Sequence, residues 1–122
     1  LEDERVIQAI LAHNTDGTGV KRQAPIDFAL LACDEITGLI IAATLVRPHK
    51  DIRQIKVKSI KRNWKDRLFT AAVSREEVAE AVEDFSRACF GGQLDLWQHV
   101  GHVLESMQGA AEALDLDGRL AG

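Results

Sequence analysis

Three groups of residues in this chain have types and spacings that could do chemistry. The first is Asp34–Glu35, an ionisable pair in the middle of the apolar run Pro25–Val46, `PIDFALLACDEITGLIIAATLV`. A carboxylate kept from water must be hydrogen-bonded, ion-paired, metal-bound or protonated. Asp34 is therefore a candidate metal ligand or catalytic acid; the plainer reading is a salt bridge or a helix-cap contact. The second group is the histidines. His13 closes the first apolar stretch beside a glycine-containing loop and could bind a metal or donate to a phosphate, although a histidine also suits a helix C-terminus for electrostatic reasons. His99 and His102 are three apart with no Asp or Glu completing a ligand spacing, and they read as structural or surface residues. The third group is cationic. Arg47, Lys50, Lys58, Lys61, Arg62 and Lys65 are candidates for anion contact, and the last four recur at three- and four-residue intervals that one helix face can present together.

Charge is unevenly spread. Residues 47–67 hold nine Lys/Arg and two Asp, a local balance of +7, whereas the rest holds six basic and seventeen acidic residues, or −11, giving −4 for the 122-residue chain. Such asymmetry points to an anionic ligand more directly than the net charge does. Nucleic acid fits Trp64 interleaved in the basic run, but the run is short, sits in an acidic domain and lacks a helix-turn-helix pattern. A small phosphorylated molecule or a solvated face competes with it. No glycine-rich phosphate loop before a strand, no CxxC pair and no nucleophile elbow occurs.

The elements that must position these residues are helical. `ERVIQAILAH` spaces Val6, Ile7, Ile10 and Leu11 for a helix ending at His13, and residues 14–24 form a loop. Pro25 suits the first turn of the next helix, and Arg47–Pro48 ends it. This helix is apolar on nearly every side and reads as the central one with neighbours around it. Its Asp27, Asp34 and Glu35 argue against a membrane span. At 100° per residue Asp27, Asp34 and Gly38 fall near one line, so Asp34 is expected at the floor of a groove that Gly38 leaves open to a close neighbour. A short helix near Ile52–Val57 and another over 59–70 capped by Ser59 follow. Ser74 and Glu77 form a capping box for a helix burying Val78, Val82, Phe85 and Cys89, stopped at Gly91–Gly92. The last helix opens at Asp95 and turns Leu96, Val100, Val103, Leu104, Met107, Ala111 and Leu114 inward. Nothing alternates like a strand. The expectation is a single all-α domain over 1–122, a compact bundle of about five helices around a central apolar helix. Cys33 and Cys89 read as buried thiols in a reducing compartment, and the absence of a signal peptide makes the cytoplasm the default.

Together, `VIQAILAHN`, `PIDFALLACDEITGLIIAATLVRPHK`, `VKSIKRNWKDRLFTAAVSREE` and `AAEALDLDG`, touching most of residues 6–118, resemble the C-terminal half of a small metal-dependent phosphohydrolase of the HD superfamily. The resemblance implies an all-helical HD-domain-like fold and hydrolysis of nucleotides or other small phosphate esters with one or two divalent metals. It implies that Asp34 occupies the last metal-binding aspartate and that His13 stands where relatives have a histidine pair, here `HN` with Asn14 second. Arg47, Lys50, Lys58 and Lys61 would then face the phosphate. The departure is the early histidine and the His-Asp pair, since no `HD` dipeptide occurs in the chain. Asp34 with His13 is short of the three or so protein ligands of a catalytic metal. The chain is accordingly expected to be a fragment or truncated product, a degenerate relative, or half of an assembly such as a homodimer. It is then inactive alone, and the divalent metal is expected in complete relatives and not in this chain. The alternatives are a non-catalytic helical remnant or a binding and oligomerisation module, with nucleic-acid binding through 47–67 last.

Overall fold

The computed structural model describes residues 3–66 and 74–121. In chain order they form α1 (Glu4–His13), α2 (Thr15–Thr18), α3 (Pro25–Leu45), a 3-10 turn (Ile52–Gln54), α4 (Val57–Trp64), α5 (Arg75–Cys89), α6 (Leu96–Gln108) and a terminal 3-10 turn (Arg119–Ala121). The architecture is all-α, with no strand among the described residues; the one extended pairing is an isolated bridge between Asp51 and Asp117.

Short polar side chains set the helix starts. The Asp3 carboxylate accepts from the Arg5 N–H at α1, the Ser74 hydroxyl accepts from the Glu77 N–H at α5, and Asp95 and Gln98 cap α6 reciprocally. At α3, Pro25 takes the first turn, and Asp27 Oδ2 accepts from the Gln23 and Ala24 N–H groups at 2.9 and 3.0 Å. Burial acts to raise the Asp27 pKa, but these two N–H groups, with Gln8 and Arg22 nearby, hold the carboxyl below its ordinary value. Asp27 is fully buried as a structural cap. Gly91 and Gly92 stop α5 with φ of 59° and 81°, which a residue with a Cβ seldom adopts.

α3 packs against α1, α4, α5 and α6. Its inward residues Ile36, Leu39, Ile40 and Ala43 join Ile52, Ile60, Val78, Val82, Val100 and Leu104 in one aliphatic core. Burial of each Ile, Leu or Val side chain here is worth about 1.5–3 kcal/mol relative to exposure. The Gln108 amide donates to the Ile52 and Ile55 carbonyls, tying α6 to the segment after α3.

Several details depart from the sequence reading. α3 is the central helix, in contact with four others, but Ile26, Leu30, Asp34, Gly38 and Leu45 are exposed, so one side of it is open. α1 turns Ala9 and Ala12 inward and leaves Ile7, Ile10 and Leu11 at 39–50% exposure, because small residues let two helix backbones approach. The two segments expected near 52–57 and 59–70 become a single 3-10 turn and α4, which starts at Val57 with Lys56 as its cap, not Ser59. The part of that second segment beyond Asp66 lies outside the described residues. Cys89 is exposed and Cys33 half-buried, so neither is a fully buried thiol. Leu114, beyond the end of α6, is also exposed.

Candidate functional site

His13, the last residue of α1, meets Asp34 at the middle of α3, with Nε2 3.2 Å from Oδ2. The pair is open to solvent: the side chains are 35% and 61% exposed. Asp34 thus finds a partner without an arginine, in a contact that strengthens when His13 carries a proton. His13 Nδ1 is buried without a hydrogen-bond partner. Asn14 caps α2, its Oδ1 accepting from the Gly17 N–H.

Two clefts flank the pair and share Glu35 and Glu77. One, of about 460 Å³, is lined by His13, Asp16, Arg22, Glu35, Glu77, Glu80 and Asp84 among others. The second, of about 490 Å³, is lined by Asp34, Glu35, Gly38, Ile41, Ala42 and Glu77 among others. Arg22 is partly committed inside the first, its Nη1 donating to the Ala12 carbonyl at 2.9 Å. Glu35 responds to this crowding. Burial first, and then the charges of Glu77 and Asp34, raise its pKa, against a smaller lowering by His13. Two adjoining acidic clefts, a hollow with Glu35 and Glu77 common to both parts, therefore lie between α3 and α5. Sequence reasoning missed it, though Glu77, Glu80 and Asp84 recur at three- and four-residue intervals on α5 and so share one face.

The expected cationic companions lie elsewhere. Arg47 follows the end of α3, thirteen residues past Asp34, which is about 20 Å along the helix axis. It lines a small cleft of about 260 Å³ with His49, Asp51 and Gln54. Lys50 sits in the adjoining turn at φ 48°. Lys58 and Lys61 are exposed on α4, with Lys61 Nζ 5.4 Å from the centre of the Trp97 ring. None of the four lines either cleft beside Asp34.

His99, read as structural or surface, is buried, and its Nε2 lies 3.2 Å from the Ala32 carbonyl. Burial lowers its pKa, and the neutral ring donates to that carbonyl. It stands at the edge of an apolar hollow of about 480 Å³ that includes Phe85, Phe90, Val103 and Met107.

Among the described residues no group of three or more His, Cys, Asp or Glu side chains is arranged to hold a metal ion. His13 and Asp34 supply two donors, and a catalytic divalent ion takes about three from protein. The pair by itself does not fit a complete metal centre. Comparison with known protein families gives no match, and comparison with curated proteins and with solved structures gives none either.

Proposed function

We propose that this chain forms one wall of a metal-dependent phosphohydrolase site for small phosphate esters or nucleotides, with Asp34 as its ligand position and His13 beside it. The chain does not turn over by itself. The observation that supports this reading is the His13–Asp34 pair at 3.2 Å, held by two helices on the open side of α3. An imidazole and a carboxylate facing solvent side by side are donors that a divalent ion accepts. When bound, such an ion would polarise a phosphoryl oxygen and acidify a water. The two donors fall short of a full set, so no hydrolytic step follows for the isolated chain. Arg47, Lys50, Lys58 and Lys61 stand apart from this pair, and a phosphate bound beside Asp34 would draw its cationic contacts from elsewhere.

Mn²⁺ titration followed by amide NMR tests the reading. Paramagnetic broadening is expected to centre on residues 13 and 34 at about millimolar metal, the weak affinity of a two-donor site, and to vanish in Asp34→Asn. Broadening centred on Glu80 and Asp84, or left intact by Asp34→Asn, would sink it. A second reading, a non-catalytic association module, draws on a different observation, the uncovered side of α3.

A further inference from the structure

Along the outward side of α3, Leu30, Asp34, Thr37, Ile41 and Leu45 recur at three- and four-residue intervals. That is the spacing of a seam that meets another helix. Leu30 and Leu45 are exposed and Ile41 is half-buried. α1 reaches only as far as Asp34, where His13 ends it. One turn further on, a Cβ added to Gly38 would meet nothing within 4 Å, so no described group now approaches the point where a close approach is easiest. Leu30 to Leu45 spans about 22 Å, or four turns of a partner. The cleft here is also lined by the carboxylates of Asp34, Glu35 and Glu77, and no Lys or Arg among the described residues lines it.

We infer that this side of α3 is the seat of a basic amphipathic helix. Such a helix is about four turns long, apolar where it faces Gly38 and Ile41 and furnished with Lys or Arg where it faces Asp34, Glu35 and Glu77. The acidic lining selects this occupant. A second copy related by a two-fold axis would bring a second set of these carboxylates into one interface, with no Lys or Arg of the cleft to offset them. A bilayer would have to take in Asp34 at mid-helix. The inference rests on packing and charge and stands whether or not Asp34 binds a metal.

A fluorescein-labelled 15-residue peptide of Leu and Lys, patterned as an amphipathic helix, provides the probe, with a Leu/Glu peptide of the same pattern beside it. In anisotropy titrations at physiological salt the Leu/Lys peptide is expected to bind at least about 100-fold more tightly than the Leu/Glu peptide. Gly38→Leu and Ile41→Asp should each weaken it about tenfold or more, while Glu105→Lys on α6 changes it less than about twofold. Gly38→Leu fills open space in a helix, so its melting temperature should match or exceed that of the unaltered chain. Failure of the Leu/Lys peptide to bind overturns the inference. So does unchanged binding to Gly38→Leu, which would mean charge attraction without a seat. A dimer in sedimentation that Ile41→Asp disperses would make a second copy the occupant. Binding to phosphatidylcholine vesicles that Ile41→Asp abolishes would make it a bilayer.

Discussion

Glu35 is the residue at which the acidic hollow is felt most directly. Burial and the neighbouring Glu77 and Asp34 raise its pKa above the ordinary glutamate value. Between the unfolded and folded values the native state binds more protons than the unfolded one, so stability falls as pH rises through that window. Glu35→Gln removes the ionisation. Its melting temperature at pH 7 is expected to rise by about 2 °C, with no gain at pH 4, where the native carboxyl is already protonated. An equal gain at both pH values would assign the effect to packing. The neighbouring Asp34 is mostly exposed and has His13 against it. A sequence shows two adjacent acids; which of them turns toward α5 and which toward solvent depends on the 100° rotation between successive residues and on where α5 lies.

At the scale of the element, α1 and α3 illustrate how far periodicity carries. It located both helices, and Asp3, Pro25 and Asp27 set their starts. It did not determine which face of each turned inward. On α1, alanines face α3 and the larger Ile7, Ile10 and Leu11 remain outside; on α3, a helix apolar almost all round must present some side to its neighbours, and the pattern leaves that side open. The two kinds of position should separate sharply in chemical denaturation. Ile40→Ala, at a fully buried site, is expected to cost about 3 kcal/mol, whereas Ile10→Ala should cost below about 0.5 kcal/mol. A large loss at Ile10 would mean that α1 is covered in solution.

In the whole molecule, the C-terminal segment is drawn back onto the turn after α3. The Ile52 N–H donates to the Leu116 carbonyl at 2.8 Å, Asp51 bridges Asp117, and Arg53 reaches the Asp117 carbonyl. Asp117 is held at a pKa of about 2, chiefly by the Arg119 guanidinium. Its folded value lies below the ordinary 3.8, so the stabilisation is complete above the unfolded value and is lost as pH falls through the folded one. Carboxyl NMR should show Asp117 titrating near pH 2, and Arg119→Ala should return the midpoint toward 3.8; a midpoint already near 3.8 would dissolve the clamp. The amino-acid sequence by itself determined the helical class, the order of the longer helices, most of their starts and stops, and the separation of a basic stretch from an acidic remainder, but not the short α2 in the stretch read as a loop. Local propensity, caps and charge depend on neighbours a few residues apart. The meeting of His13 with Asp34 and the hollow that Glu35 shares with Glu77 were decided only by the tertiary structure. Each depends on how one helix is rotated and offset against another, and residues 20 to 50 positions apart have no local signal that records it.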